Sequence, residues 1–537
     1  MSQLEAAGVS VAFGIPGVHN LAIFDALRRS SIRTVLVRHE QTCVYAADGY
    51  ARATGRLAVA LTTTGPGAAN TAAAMGEARA SRSPVLHIST QVESKVLEGR
   101  SGRFSLHESP HQRAILDPLS IWSASVARAD AIPSLVTRAT QEAFGGRRGP
   151  VFVDIPHDFL SEPVTRTAAP IAPNRALMPE PRALERAVEA LRAAKRPVIW
   201  SGGGAIASEA GEALARVAEL LDAPIVTTFA GKGIVPPDHP LLVGFPPHHP
   251  EVTKLIESSD AILIVGSDLD GMNTQGWRLA MPHPRVAINT ISQDARRNYG
   301  CEVVVEADAR TTLEAMAPLL PARSASAAKR VATVRAKADA AVRAQKDLAP
   351  GYRFIRTVEK EASDAFVVAD MAIPGYWAGA YLRPARARMF AYPLGWGTLG
   401  FALPAAVGVG ASGARALVLA GDAGVMFGLG ELATLAQEKL PVTVLVVNDA
   451  GYGMLRFDEE ERFGETFAAN LRAPDFVALA ESFGIEAKRC TQRDLAASLR
   501  WGLQRKGPAL LELRARFAPP ITTSPRWPLK SRKEARP

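Results

Sequence analysis

The sequence has few cysteines, no long apolar run and no recognisable targeting signal. Its three cysteines, Cys43, Cys301 and Cys490, stand far apart, which excludes a disulfide framework and fits a reducing compartment. No apolar run reaches the ~18 residues of a membrane span, and the N-terminus lacks a charged-then-apolar signal. We therefore expect a cytoplasmic protein with no membrane partner.

Aromatic residues are also scarce, at 6% of the chain, and no basic stripe is interleaved with them. The formal net charge of +9 comes from dispersed arginines and from a basic tail over residues 526–536. This pattern argues against nucleic acid as a partner. A positive potential would instead favour small anionic substrates.

The length of 537 residues is too great for one hydrophobic core. Strand and helix patterns alternate along the chain, which predicts an α/β fold built from three doubly wound, parallel-sheet domains. We place the domains at residues 1–165, 182–322 and 352–520. An Ala- and Pro-rich linker over 168–181 and a helical connector over 322–348 would join them.

Two polar clusters near the C-terminal end each follow a buried strand. Asp422 comes after the apolar residues 416–420, and Asn448 and Asp449 come after 442–447, with a crossover helix over 429–440 between them. In such a βαβ unit the two strand ends lie side by side, where ligands bind. Carboxylate and backbone oxygens beside small residues suit Mg²⁺ and a diphosphate, although an ordinary βαβ unit with polar turns would also fit.

A further cluster lies far upstream. Glu40 ends the segment Val-Leu-Val-Arg-His-Glu, and a helix with Ala-Ala-Asp-Gly-Tyr-Ala-Arg follows it. The next strand runs into Thr63-Thr-Gly65-Pro66-Gly-Ala-Ala-Asn70. A carboxylate at this place could serve a cofactor, cap a helix or pair with Arg38.

Together these clusters resemble the thiamine-diphosphate-dependent enzymes of the acetolactate synthase and benzoylformate decarboxylase superfamily, over about residues 8 to 527. The segments 13–19, 106–112 and 522–527 look most like the branch that contains 5-guanidino-2-oxopentanoate decarboxylase. The resemblance implies pyrimidine-binding, central and pyrophosphate-binding domains in that order. It also implies thiamine diphosphate and Mg²⁺ as cofactors.

The resemblance assigns roles to individual positions. Glu40 matches the glutamate that activates the cofactor, and Leu399 matches the apolar wedge beneath its bend. Ala423 stands where most relatives have glycine, and Asp449 stands where they have a metal-binding asparagine. The implied cofactor contacts are Gly65, Pro66, Asn70, Thr398, Leu399, Gly421, Asp422, Ala423, Asn448, Tyr452 and Gly453. The implied metal ligands are Asp422, Asp449 and the backbone carbonyl of Gly451.

Two histidines align with substrate-facing positions of relatives. His19 matches a histidine of benzaldehyde lyase, and His107 matches a glutamine placed over the thiazolium ring in benzaldehyde lyase and acetolactate synthase. A neutral imidazole at either place could move protons, so we take both as catalytic candidates. A structural or solvated role remains the alternative for each.

The central domain carries Gly202-Gly203-Gly204 after a strand, a pattern that can bind dinucleotides. The match is partial, and Asp268 and Asp270 stand where the flavin-binding relatives are basic. We therefore expect these glycines to be structural and FAD to be absent.

The resemblance implies a 2-oxo acid decarboxylase that works through a cofactor ylide and an enamine. The alternatives are a carboligase of the acetolactate synthase type, which adds the enamine to a second carbonyl, and a non-catalytic cofactor-binding paralogue. Relatives share each site between two subunits, so we expect a homodimer or a dimer of dimers. The substrate itself is left open.

Overall fold

A computed structural model of the protein describes residues 1–99, 105–164, 176–324, 326–521 and 523, and it contains three parallel sheets in succession. The predicted α/β class with three parallel-sheet domains is confirmed. Most of the predicted linker, residues 168–175, lies outside the described residues. So do Phe104 and residues 522 and 524–527 of the terminal segment.

The first sheet has six strands in the order β2-β1-β3-β4-β6-β5, and every neighbouring pair is parallel. Helices cover the sheet, so β1, β3, β4 and β6 are buried along their whole length. Its strands are β1 (Val11–Gly14), β2 (Arg33–Leu36), β3 (Ala58–Thr62), β4 (Val85–Gln91), β5 (Trp122–Ser125) and β6 (Val151–Pro156). Its helices are α1 (Ser2–Ala6), α2 (Leu21–Arg28), α3 (Glu40–Thr54), α4 (Pro66–Ala69), α5 (Ala72–Ala80), α6 (Ser94–Leu97), α7 (Gln112–Leu116) and α8 (Ile132–Ala143), with 3₁₀ turns at Asp117–Leu119, Ala129–Ala131 and His157–Ser161.

The second sheet has five parallel strands in the order β11-β10-β9-β7-β8. Its strands are β7 (Pro197–Ser201), β8 (Ile225–Thr227), β9 (Ala261–Val265), β10 (Arg285–Asn289) and β11 (Val303–Glu306). Its helices are α9 (Pro181–Ala193), α10 (Gly203–Ala207), α11 (Gly211–Leu221), α12 (Pro250–Glu257), α13 (Ser292–Arg297) and α14 (Ala309–Met316), with a 3₁₀ turn at Ala317–Leu319. The connector is helical as expected, since α15 spans Ala327–Ala344.

The third sheet has six parallel strands in the order β13-β12-β14-β15-β17-β16. Counted from its own first strand, this is the same order as in the first sheet, so the two units repeat one plan. Its strands are β12 (Phe366–Ala369), β13 (Phe390–Ala391), β14 (Ala416–Gly421), β15 (Val442–Asn448), β16 (Glu486–Cys490) and β17 (Ala509–Arg514). Its helices are α16 (Ala349–Glu361), α17 (Ile373–Tyr381), α18 (Ala402–Ala411), α19 (Asp422–Val425), α20 (Glu431–Glu438), α21 (Gly453–Phe463), α22 (Phe476–Ser482) and α23 (Leu495–Leu503), with a 3₁₀ turn at Met426–Gly428.

The first and third units pack through α3 and α18, which meet backbone to backbone. A Cβ on Gly49 would overlap the carbonyl of Ala405, and a Cβ on Gly408 would overlap the carbonyl of Ala46. Both helices are buried at this point and belong to one apolar core. The absence of side chains at the two glycines therefore sets how closely the first and third units approach each other.

The described part of the chain contains no helix with the length and apolarity needed to cross a bilayer.

The crossing of α3 and α18 yields a stability prediction. Gly408→Ala should lower the free energy of unfolding by at least about 2 kcal/mol, because the new methyl group meets backbone and cannot be relieved by a rotamer change. Gly507→Ala is the matched control, since no atom lies within 4 Å of the Cβ that it adds. Chemical denaturation of both variants measures the difference. Equal stability would show that the two helices separate readily.

Candidate active site

Ligands of doubly wound sheets bind where the strand order reverses, outside the carboxyl ends of the strands. In the first sheet this crevice lies between β1 and β3, which lead into His19 and into the loop from Thr63 to Asn70. In the third sheet it lies between β12 and β14, which lead into Asp370 and Asp422. Most of the residues singled out in the sequence therefore lie at two such crevices.

Glu40 is the first residue of α3. Its half-buried carboxylate accepts a hydrogen bond from Asn70 Nδ2 at 2.9 Å. Its Oε1 lies 3.7 Å from where a Cβ on Gly67 would sit, so the carboxylate is next to the 63–70 loop. The side chain of His39, not that of Glu40, caps α3 by accepting from Gln41 N. Helix capping is thus met by another residue, and Glu40 faces the 63–70 loop.

The 63–70 loop is held in shape by Gln112, a buried residue whose role was not predicted and which stood out only as the last residue of the 106–112 segment. Gln112 Oε1 accepts from Gly65 N at 2.6 Å, and Gln112 Nε2 donates to Thr90 O at 2.9 Å. Gly65 has a positive φ of 65°, and a Cβ on it would lie 2.6 Å from the carbonyl oxygen of His107. Glycine is therefore required here, and Pro66 then begins α4.

His19 and His107 lie together, with ring centroids 5.7 Å apart. His19 Nδ1 is 2.8 Å from Thr64 Oγ1, and His157 stacks on the His19 ring at 4.6 Å. Burial, followed by the neighbouring His157 and His107, lowers the pKa of His19 below its usual value. His19 is therefore neutral near pH 7. Sequence reasoning missed His157, whose only signal is its position directly after β6.

His107 shows two signs of a functional position. Its φ is +64°, a left-handed conformation that a residue with a Cβ adopts at a cost. Its Nδ1 atom is buried and has no hydrogen-bond partner among the described residues. A buried polar atom left without a partner is costly, so a hydrogen-bonding group placed next to this nitrogen would be favoured.

Residues 398–400 of the third unit, here called the wedge segment, are held in place by Asp370. The sequence analysis did not single out Asp370. Leu399 is half-buried and precedes Gly400, whose φ is +77° and whose N–H donates to the Asp370 carboxylate at 3.0 and 3.1 Å. Burial raises the pKa of Asp370 to about 7. Thr398 Oγ1 donates to Glu77 of the first unit at 3.3 Å. The wedge segment of the third unit therefore also contacts the first unit.

Asp422 and Asp449 meet at the ends of β14 and β15, where Gly421 pairs in register with Val447. Asp422 accepts from the backbone N–H of Asp449 at 3.3 Å and of Gly451 at 3.0 Å. Burial raises the pKa of both carboxyls, and the charge of Asp422 further raises the pKa of Asp449, to about 6. Two like charges in one partly buried place suit a divalent cation.

The loop after β15 is held by the side chain of Asn448 and is closely packed at Gly453. Asn448 Nδ2 donates to Glu512 Oε1 at 2.8 Å, and Asn448 Oδ1 accepts from Ala450 N at 3.1 Å. Its amide thus holds the loop. A Cβ on Gly453 would overlap the Asp449 carboxylate. Ala423 is buried, and Tyr452 and Gly453 lead into α21.

Arg456 donates hydrogen bonds to the backbone of the loop after β15. Its side chain is buried, and its Nη2 donates to the carbonyls of Asp449 and Ala450, each at 3.2 Å. Its Nε donates to Asn470 Oδ1 at 3.0 Å, and its Nη1 lies 3.7 Å from Asp449 Oδ2. The charge of Asp449 is therefore offset by a guanidinium that also fixes the loop backbone.

Within the described ranges, no three His, Cys, Asp or Glu side chains form a group that could hold a metal ion. A cation at Asp422 and Asp449 would thus depend on backbone carbonyls, such as that of Gly451, and on oxygens from outside the protein.

Two backbone amides of the glycine-rich turn in the central unit donate to carbonyls at the end of β9. Gly202 N donates to Val265 O and Gly204 N donates to Gly266 O, both at 2.9 Å. Asp268 lies 3.0 Å from the Arg82 guanidinium of the first unit. These amides serve close packing of β7 against β9, and the acid serves a contact between units.

Three family models match the chain. The N-terminal TPP binding domain of thiamine pyrophosphate enzymes matches residues 1–115, and the central domain matches residues 184–316. The C-terminal TPP binding domain matches residues 370–513. The first match covers β1 to β4, the second covers the whole second sheet, and the third covers the third sheet except β12 and the last residue of β17.

Named relatives fall into two groups. The chain is 39% identical over 520 residues to a probable 2-ketoarginine decarboxylase, AruI, of Pseudomonas aeruginosa, covering 94% of this chain and 91% of that protein. It is 32% identical over 519 residues to an acetolactate synthase of Mycobacterium bovis, covering 92% and 83%. A probable acetolactate synthase large subunit of Methanocaldococcus jannaschii is 28% identical over 540 residues, covering 96% and 90%.

The loop held by Arg456 generates a binding prediction. Arg456→Gln should weaken thiamine diphosphate binding by at least about tenfold, because two loop carbonyls and the Asp449 charge lose their buried cationic partner. Arg462→Gln is the matched control, since Arg462 is an exposed arginine of the same helix. Calorimetric titration with the cofactor and Mg²⁺ measures both. Equal dissociation constants in the two variants would contradict the assigned role of Arg456.

Proposed function

This chain belongs to the thiamine pyrophosphate enzyme family and is a thiamine-diphosphate-dependent enzyme, and from this premise we propose that it decarboxylates a 2-oxo acid with the help of Mg²⁺. The observation that carries the proposal is the cluster on the 63–70 loop, where Glu40 meets Asn70 and His19 meets Thr64. We assign the domain limits 1–165, 182–322 and 352–520, and a cytoplasmic location, as parts of the same proposal.

When bound, the cofactor supplies a carbon nucleophile and an electron sink for the loss of CO₂. Glu40 would hold a proton at N1′ of its aminopyrimidine, and Leu399 would support its bent shape. The residues assigned to the cofactor are Gly65, Pro66, Asn70, Thr398, Leu399, Gly421, Asp422, Ala423, Asn448, Tyr452 and Gly453. Asn448 acts there through the loop, because its amide is engaged by Glu512 and Ala450.

Asp422, Asp449 and the carbonyl of Gly451 are assigned to Mg²⁺. Hard oxygen ligands suit this ion, and its charge would offset the repulsion that raises the pKa of Asp449. Asp449 replaces an amide with a carboxylate, and Arg456 offsets the added charge. We propose no flavin, a view supported by the ion pair that Asp268 makes with Arg82.

His19 and His107 are assigned to proton movement at the substrate carbonyl. A neutral imidazole both donates and accepts, and the lowered pKa of His19 keeps its ring neutral near pH 7. The unpartnered Nδ1 of His107 gives a second nitrogen for the same task. Thr64 would hold the orientation of His19.

A carboligase of the acetolactate synthase type is the second candidate, favoured by the relatives of that name. In this chain the residues assigned above would serve a carboligase reaction as well as a decarboxylation. The two reactions differ only in the second carbonyl compound that a carboligase uses. A non-catalytic paralogue is disfavoured by the contacts of Glu40. CO₂ release from pyruvate, branched, aromatic and guanidino 2-oxo acids, with and without an aldehyde acceptor, separates the three.

Glu40→Gln tests the assignment directly. The variant should keep its fold and cofactor affinity but lower turnover by at least about 100-fold, because proton transfer at the cofactor is lost. The readouts are CO₂ release and the hydrogen–deuterium exchange rate at C2 of the bound cofactor.

His107→Ala is the comparison variant for this test, since His107 is assigned to later steps. It should slow CO₂ release while leaving C2 exchange close to that of the parent enzyme. Exchange in Glu40→Gln that is as fast as in the parent would remove Glu40 from its role.

We further propose a homodimer, or a dimer of dimers, in which each site takes residues from two subunits. Apolar side chains beside both halves of the site support this: Val18 is 65% exposed and Leu106 62% near the histidines, and Phe427 is 51% exposed after Asp422. Exposed apolar groups of this kind mark association surfaces. The alternative is a site formed within one chain. This arrangement is favoured by a contact between the first and third units of the same chain, in which Gln41 Nε2 donates to Phe427 O at 2.8 Å.

Mixed dimers distinguish the two arrangements. Co-expressed Glu40→Gln and Asp422→Ala chains would pair at random, and each mixed dimer would have one site with both changes and one with neither, so activity should return to roughly a quarter of that of the parent. Each variant expressed alone is the control. Inactive mixed dimers, verified by differently tagged chains, would place each site within one chain.

A further inference from the structure

A cavity of about 240 Å³, lined mainly by apolar side chains, lies where the central and third units meet. From the third unit it is lined by Met371, Tyr392, Met454 and Asp458 among others, and from the central unit by Phe229 and Met272. The wall that the described part of the central unit contributes therefore consists of two side chains.

The end of the cavity in the third unit lies next to the wedge segment. Met371 Cε is 3.9 Å from where a Cβ on Gly397 would sit, two residues before Leu399. Asp370 accepts from Met371 N at 2.9 Å and from Gly400 N at 3.0 Å, so one carboxylate holds both the cavity lining and the wedge segment. None of the residues that we assign to the cofactor belongs to the central unit. A substrate whose reacting carbon lies at the cofactor would thus extend its side chain toward the central unit.

The wall from the central unit is built by loops at the carboxyl edge of the second sheet. Phe229 comes two residues after β8, and Met272 lies in the loop that follows β9. Strands β8 and β9 are both parallel neighbours of β7, so the two loops leave the sheet at the same edge. Open α/β sheets bind ligands at this edge. The central unit therefore turns the ligand-binding edge of its own sheet toward the cavity.

Buried Asn273 ties the two loops together and holds Phe229 in place. Asn273 Oδ1 accepts from Phe229 N at 3.2 Å, and Asn273 Nδ2 donates to Asp270 Oδ2 at 2.8 Å. On its other side Phe229 packs against the third unit. Its Cδ1 lies 3.2 Å from where a Cβ on Gly379 would sit, and its ring centroid is 6.2 Å from that of Tyr392. The ring is thus fixed from both units and forms a firm wall.

The size of the cavity disfavours a small side chain on the substrate. A cavity of roughly 150 Å³ accommodates benzene, so the methyl group of pyruvate would leave most of 240 Å³ empty. A side chain of several carbons would fill the space between the wedge segment and the central unit. The far end of such a side chain would meet Phe229 and Met272.

We propose that Phe229 and Met272 of the central unit close the pocket for the substrate side chain and set the longest side chain that the enzyme accepts. This inference rests on the proposed function and names specificity-determining residues of its site. It gives the central unit, which holds none of the residues assigned to the cofactor, a part in the choice of substrate. Asp270, which the sequence analysis singled out, supports this wall through Asn273.

The test measures kcat/KM for straight-chain 2-oxo acids from pyruvate to 2-oxodecanoate. In the parent enzyme the value should rise by about fourfold with each methylene group that becomes buried. It should fall by at least about tenfold once a further methylene group would overlap the wall. Phe229→Ala should move this fall to side chains longer by at least about one methylene group, because the removed ring leaves space. Met272→Trp should move it to side chains shorter by at least about one methylene group.

The two opposite shifts separate a role in specificity from a loss of stability, which would lower activity toward all substrates alike. Phe245→Ala is the matched control. Phe245 is a buried phenylalanine of the same unit that is absent from the described lining of the cavity, so its removal should leave the length limit unchanged.

A binding measurement keeps the inference independent of turnover. Calorimetry on the holoenzyme with the matching straight-chain carboxylates, which lack the reactive keto group, should show the same length limit and the same two shifts. A parent enzyme that prefers pyruvate, or a length limit that stays in place in both variants, would overturn the inference while leaving the proposed function intact. No CO₂ release from any 2-oxo acid would overturn the proposed function, and the calorimetric length limit would still decide the role of Phe229 and Met272.

Discussion

The backbone contact of α3 with α18 is the constraint on which the candidate site depends. One helix begins at Glu40, and the other follows the wedge residue Leu399 by a few positions. Gly49 and Gly408 lack the side chains that would hold the helices apart. Because protein interiors do not deform continuously, a change at this contact would shift Glu40 and the segment of Leu399 in the same chain at once.

The two cofactor-type units share one strand order but use their sheet edges differently. In the first unit the crevice gathers imidazoles and threonine hydroxyls around the 63–70 loop, and the Glu40 carboxylate faces the same loop. In the third unit it gathers buried acids, Asp370, Asp422 and Asp449, whose pKa values are all raised by burial. The division suits a ligand with a neutral ring at one end and a metal-bound diphosphate at the other.

Helix α21 lies between the loop to which we assign Mg²⁺ and the cavity that Met454 and Asp458 line. Arg456 points to the loop carbonyls, and Asp458, two positions later, lines the cavity with Met454. A helix presents residues two positions apart on different sides, so one short element serves both tasks. The anchoring of Asp449 and the lining of this cavity therefore depend on the same element.

The sequence by itself determined the fold class and the residues at the strand ends. Buried parallel strands read as apolar runs, and Asp422, Asp449 and Glu40 follow such runs directly, so local pattern was enough to find them. His157 and Asp370 also follow buried strands, but the local pattern does not show what they contact, and Gln112 and Asp458 lie in segments without such a pattern. They reach the site only because the sheets and helices pack as they do. Tertiary structure alone decided which distant side chains hold the 63–70 loop, fix the wedge segment and line the cavity, because these contacts join residues far apart along the chain.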